Sequence, residues 1–453
     1  MARSTPWLAR DSDLGRLRRL ALRRAVRRRL STWLRWSMVA IPGVYIAFAI
    51  ALGLATPALD QAVGTPLQRG VGLSAARDVL TATATGMVAF TALVVASVLI
   101  VIQFAASQYS PRLTLWFRRD TLIKNAIGSF LAAPLFGVVA LREIERKPAR
   151  YSPDITVVIA LVLLIGAAVL FLALLQRIQH RLEPRLLYQA VAREGIRAIR
   201  ISYPLRLEEP PAAHVQAATR WRSGSPGELR LARGSGVFVA FDREVMARAA
   251  AHYGVTLELV PAVGEYVSQG QPLLRIHGDK TVDNRILLRA VTIGEERTIG
   301  EPAFSIRIIV DTAIRALSPA VNDPTTAVHA IDALEPLIGE LAARDLEPGQ
   351  LDREATTPLA WRAPSWEDFL DLAFEEIRAY GRDSIQVCRR LRAALTDLRA
   401  STPHARHAAI DARLARLDET VQLTHPSASP DRALAAVADR TGLGLAWPAV
   451  TEG

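Results

Sequence analysis

VLTATATGMVAFTALVVASVLIVIQFAASQYSP, residues 79–111, runs for 33 residues without an Asp, Glu, Lys, Arg or His. A bilayer core demands roughly 20 such residues, because about 30 Å of hydrocarbon is crossed at 1.5 Å per residue. Three more uncharged stretches of this kind occupy residues 36–59, 125–141 and 155–176. Together they predict an α-helical membrane domain with four transmembrane helices, followed by a cytoplasmic α+β domain made of a small β-rich module and then helices. The expected boundaries are a basic segment at 1–35, the membrane domain at 36–176 and a connector at 177–230. A β-rich module with a helix-turn-helix signature follows at 231–340, and amphipathic helices fill 341–453.

Charge supports this division. The chain carries a net +11 over 453 residues, a balance that in a soluble protein points to nucleic acid. Here the strongest cluster, Arg16, Arg18, Arg19, Arg23, Arg24, Arg27, Arg28, Arg29 and Arg35, lies directly before the first span. That placement is an orientation signal and a contact for anionic lipids. It lacks interleaved aromatics and a reading fold, so no nucleic-acid partner is expected. The lone Cys388 excludes an internal disulfide and fits a reducing compartment. The first loop offers only Arg69 and Arg77, whereas Arg177, Arg181 and Arg185 follow the last span. An even number of spans with both termini cytoplasmic satisfies that bias, although Arg142, Arg146, Lys147 and Arg150 then face outward. The basic region is too long for a cleaved signal peptide, and an anchor is expected instead.

Two spans are patterned beyond hydrophobicity. In the second, Thr81, Thr85, Ala89, Ala92, Ala96, Gln103, Ser107, Ser110 and Thr114 recur at helical spacing; in the third, Asn125, Ser129, Ala133 and Gly137 do so at every fourth position. Small residues let helices approach closely, which is the plain reading. The sharper one makes Gln103, Ser107, Ser110 and Thr114 the border of a hydrated path, since an amide in hydrocarbon is costly without a partner or water. None of the four uncharged stretches contains an ionisable group, which argues against a proton relay.

Beyond a Pro/Ala/Ser-rich connector, Gly236 to Phe241 alternates as a strand. Asp242 is placed to cap a helix that Gly254 ends. Gly264 to Pro272 returns faintly as Gly294 to Pro302, which suggests two similar β half-units. The run Gly264, Val267, Gly270, Leu273 and Gly278-Asp279-Lys280 resembles the lipoyl and biotinyl carrier fold, which implies Lys280 as an attachment position. Thr281 after the lysine departs from that pattern. A β module of related shape without a cofactor is the expectation.

Phe304 to Leu317 reads as a helix stopped at Ser318-Pro319. Asp323 caps the next helix, with Pro324 at its first position. Asp311 is spaced to pair with Arg315. Helix punctuation accounts for these residues, and a polar ligand site built from Arg297, Asp311, Arg315, Ser318, Asn322, Asp323 and His329 is the functional alternative.

Glu296-Arg297-Thr298, Val310-Asp311, and Ala313 through Pro324 to Ala327 resemble the signature of a family of predicted bacterial membrane proteins, the domain of unknown function 2254. Gln103 to Arg112 and Phe117 to Asp120 are similar to the end of that family's second span. The resemblance covers roughly residues 30–340 and implies a bacterial inner-membrane location without an assigned activity. The chain departs from the pattern at Ile299-Gly300-Glu301 and at Thr325.

The tail, 364–400 and 405–441, alternates apolar with charged residues as amphipathic helices do. His404 and His407 form a His-x-x-His without a third ligand. No nucleophile elbow, P-loop or zinc-protease motif is present in the sequence. No cofactor is expected. The functional readings are an oligomeric conduit, most naturally a homo-oligomer; a membrane-anchored scaffold or sensor; and an enzymatic or carrier module centred on Lys280 or Asp311.

Overall fold

The structure, a computed structural model, describes residues 39–64, 70–108, 120–146, 151–182, 184–207, 226–278, 282–294, 301–346, 359–427 and 429–443, with isolated positions before residue 39. The chain divides into two compact units, one of residues 30–183 and one that contains residues 184–453.

Four helices form the first unit: α1 (Ala40–Val63), α2 (Leu73–Gln108), α3 (Thr121–Arg146) and α4 (Asp154–Leu182). All four are long and apolar enough to cross a membrane. The centre belongs to α3, whose spanning window is 61% buried against 28, 28 and 22% for α1, α2 and α4. Its small residues explain why. A Cβ on Gly128 would stand 2.7 Å from the Tyr45 ring of α1, and one on Gly137 would stand 3.2 Å from the Leu80 carbonyl of α2. Ser129, Ala133 and Gly137 are buried, so the every-fourth-residue pattern is a close-packing face. Phe90, Phe130 and Phe171 meet edge-on across α2, α3 and α4, with centroids 4.9 Å apart for Phe90 and Phe171.

The ends of these helices correct one expectation. The helices run past the uncharged stretches and bury ionisable groups: Asp60 is 2% exposed and Lys124 1%. Asp60, near the end of α1, accepts from the backbone N–H groups of Ile155 (2.8 Å) and Thr156 (3.1 Å) and from the Thr156 hydroxyl (2.6 Å). It caps the first turn of α4 from a different helix. At the same end Asp154 accepts from the Val71 N–H at 2.7 Å, and a Cβ on Gly70 would collide with the Ser152 hydroxyl at 2.3 Å. At the opposite end, buried Asp120 accepts from the Leu122 N–H (2.8 Å) and from Arg177 Nε (3.3 Å). Charge restricted to the two ends keeps these groups near the depth where water and headgroups reach.

The second unit opens with α5 (Pro184–Ser202), one residue after α4 ends. A four-stranded sheet in the order β1 (Gly227–Arg230), β5 (Pro272–His277), β3 (Thr256–Leu259), β7 (Leu359–Ala360) is antiparallel except for the β3–β7 pair. A second sheet has β2 (Gly236–Phe241) between β4 (Tyr266–Val267) and β6 (Val291–Gly294). The predicted strand over 236–241 is therefore central. The strands after Gly264 and before Gly294 flank it, with Val237 opposite both Tyr266 and Gly294. Asp242 caps α6 (Arg243–Tyr253) by accepting from the Val245 N–H, and Gly254 ends that helix at φ +63, as expected. Phe238, Leu257, Leu274, Met246 and Ile286, the last on α7 (Asn284–Ala290), build the core of this module.

Helices complete the unit. α8 (Pro302–Ala316) and α9 (Pro324–Ala342) match the predicted pair, with the Asp323 carboxylate accepting from the Thr326 N–H at 3.1 Å. The tail supplies α10 (Trp366–Leu370), a π-helical turn over Asp371–Glu375, α11 (Glu376–Tyr380), α12 (Ile385–Ser401), α13 (His407–Thr424) and α14 (Pro430–Ala435). These pack on their own chain. Arg390 of α12, largely buried, donates to Asp332 and Glu335 of α9.

Candidate functional site

The patterned face of α2 points away from the bundle. Ala76, Leu80, Ala84, Met87, Val94 and Val98 are buried, whereas Thr81, Thr85, Ala89, Ala92, Ala96 and Gln103 are exposed. A residue turns by about 100° per step on a helix, so these six share one side opposite the buried one. On α4 the exposed large apolar residues are Val158, Leu161, Val162, Ile165, Val169, Leu172 and Leu175. α2 also exposes large apolar side chains, Val88, Leu93, Leu99 and Ile100, around its stripe of Thr and Ala, and each helix carries an exposed amide, Gln103 on α2 and Gln176 on α4. Among the described residues no hydrogen bond reaches the Gln103 amide. The Ser107 side chain, Ser110 and Thr114 lie outside the described residues.

The signature residues come together as helix punctuation. Ser318 donates to the Arg315 carbonyl at 2.6 Å, and Asp323 accepts from both the N–H and the hydroxyl of Thr326. Asn322 is exposed and holds φ +47, the left-handed turn that joins α8 to α9. The ion pair at Asp311 is with Arg307, one turn earlier, at 2.6 Å. Arg307 continues to Glu376 of α11, and that bond raises the guanidinium pKa further. His329 is half-buried on α9. Arg297 lies outside the described residues, as does Lys280. Among the described residues no group of three or more His, Cys, Asp or Glu side chains could hold a metal ion, and His404 and His407 stand as a pair with ring centroids 5.1 Å apart.

Sequence reasoning missed the charged ends of the bundle, because a hydropathy window stops at the first charge. It missed the stitching around α5 as well. Arg200 and Arg344 both bond to Glu340, and the Arg200 bond is the first cause holding that carboxyl below its usual range. Arg344 also donates to the Pro204 carbonyl at 3.1 Å, which ties the end of α5 to the end of α9.

The profile described as "Predicted membrane protein (DUF2254)" matches residues 35–397. The chain belongs to the DUF2254 family. That match spans all four crossing helices, the β module, α8, α9 and most of α12. This DUF2254 protein is also 27% identical, over 354 residues, to an uncharacterized protein of Mycobacterium tuberculosis, covering 74% of this chain and 67% of the relative. An uncharacterized protein of Mycobacterium bovis matches at the same identity and coverage. No solved structure matches the chain.

Proposed function

We propose that this DUF2254 protein assembles as a homo-oligomer through the outer face of α2 and forms a conduit lined by the Gln103 side of that helix. One observation carries the reading: an amide stands exposed on a membrane helix, at the end of a stripe of Thr and Ala. Lipid cannot satisfy that amide, whereas a second copy or a hydrated axis can. The small side chains of Thr81, Thr85, Ala89, Ala92 and Ala96 let a second copy approach α2 closely, with the exposed Val88, Leu93, Leu99 and Ile100 beside them to pack. The conduit sits in the bacterial inner membrane with both termini cytoplasmic, the arginine-rich start of the chain on anionic headgroups and residues 184–453 forming the assembly or gating part.

Native mass spectrometry of the full-length protein released from mild detergent tests the assembly, and ion flux into liposomes tests the path. Three or more subunits with flux abolished in a folded Gln103→Leu variant supports the reading. A monomer, or flux unchanged by that substitution, refutes it and leaves a membrane-anchored binding module.

A further inference from the structure

Arg243 carries a charge whose surroundings do not account for it. It is the first residue of α6, the helix end whose dipole disfavours a cation. Its guanidinium is half-buried, with Cζ 4.9 Å from the centroid of the Trp361 ring and 5.8 Å from that of Phe241. Nη1 and Nη2 both aim at a single acceptor, the Ser202 carbonyl at the end of α5, at 3.4 and 3.3 Å. Both are longer than the usual N–H···O distance of about 2.9–3.0 Å. Among the described residues no carboxylate pairs with Arg243, and burial lowers its pKa against the field of Tyr203 alone. A desolvated guanidinium normally sits beside a counter-ion.

Tyr203 follows Ser202 directly and turns its ring edge-on to Phe369 at 6.3 Å. Burial pushes its phenol up to about 12, so the hydroxyl keeps its proton and is a donor at neutral pH. Glu301 acts on the same phenol in the opposite sense to Arg243, with its carboxylate lying over Gly264. That carboxylate is not among the charges felt by Arg243.

We propose that Arg243 and Tyr203 form a binding site for an oxyanion, a phosphate or a carboxylate, held by the unused Nε edge of the guanidinium fork and by the Tyr203 hydroxyl. Planar guanidinium matches such an anion through two parallel N–H bonds. The Trp361 and Phe241 rings, with centroids 5.6 Å apart, lie together on one flank of the guanidinium and shield that flank from water, which strengthens the pairing. The site is independent of the conduit reading. It lies where the helix that follows the last span ends, so an occupied site stiffens the join between α5 and α6.

Thermal unfolding of the full-length protein in detergent, titrated with sodium phosphate and in parallel with sodium acetate, each against sodium chloride at equal ionic strength, tests it. A saturable rise in midpoint with phosphate or acetate, beyond that of chloride, is expected. Response to phosphate alone assigns a tetrahedral anion, and response to acetate alone a carboxylate. Tyr203→Phe, which keeps the ring packing, should weaken the apparent affinity by about tenfold, the loss of one bond to a charged group. Arg243→Lys, which keeps the charge and loses the fork, should weaken it at least as much. Equal response to all three salts, or unchanged affinity in both Tyr203→Phe and Arg243→Lys, would overturn the proposal.

Discussion

Replacing Asp60 by Ala should be the most damaging single polar change in the membrane bundle. The carboxylate is 2% exposed and accepts three hydrogen bonds, from the Ile155 and Thr156 N–H groups and the Thr156 hydroxyl. Alanine leaves all three donors without that acceptor inside a packed helix junction. A buried donor left unsatisfied costs about 1–3 kcal/mol. At the low end, appropriate to a helix end that water can reach, three of them sum to about 3 kcal/mol. That is roughly a hundredfold in the ratio of folded to unfolded protein. Asp60→Asn keeps one carbonyl oxygen in place and should cost about 1 kcal/mol. Thr156→Val removes one donor from the other side, so its cost should shrink by about 1 kcal/mol on the Asp60→Ala background. Equilibrium unfolding in mixed micelles with rising SDS, followed by far-ultraviolet circular dichroism, measures wild type and the four variants. An Asp60→Ala midpoint equal to wild type, or an Asn variant as damaged as the Ala one, would refute the cross-helix cap.

Asp323→Ala should lower stability by about 1 kcal/mol, the usual value of an N-cap, without altering ligand response; a larger loss of function than of stability would make Asp323 part of a site. Cys388, buried and pushed up to about 11, should react with a thiol reagent at pH 8 about two orders of magnitude more slowly than an exposed cysteine. Fast labelling of folded protein would contradict that burial. Glu340 has its pKa depressed by Arg200 and Arg344, so its contribution to stability is complete above the ordinary carboxylate range and is lost as pH falls from there through the lowered native value. Glu340→Gln should therefore destabilise near neutrality and flatten the acid side of the stability profile; a profile unchanged in shape would show the bridge to be idle.

Local signals in the sequence carried the fold a long way. Asp242, Gly254, Pro324 and Asp323 punctuate helices by chemistry that acts within a few residues, and each stands where that chemistry predicts. Spans were visible because uncharged length is itself the signal. What stayed hidden depends on distant residues. Asp60 and Thr156 lie far apart in the chain and on different helices, and nothing near either one announces the other. The small-residue pattern on α2 was legible as a stripe, but its outward orientation follows only from which side of the helix α3 covers. Arg243 reads as an ordinary first-turn residue until Ser202, Phe241 and Trp361 gather round it.

The clasp at one end of the bundle also sets how the four helices can move. Asp60 fixes the start of α4 to α1, and Asp154 fixes the same turn to the chain entering α2, so three segments are pinned at one level. At the far end Arg177, with half its side chain in the open, reaches Asp120 at 3.3 Å. A bundle tied in this way holds its helices in register from both ends. Sliding or twisting along its whole length would break several buried bonds at once, and splaying about the pinned level would also part the Thr91 hydroxyl from the Phe130 carbonyl and separate the Phe90, Phe130 and Phe171 rings.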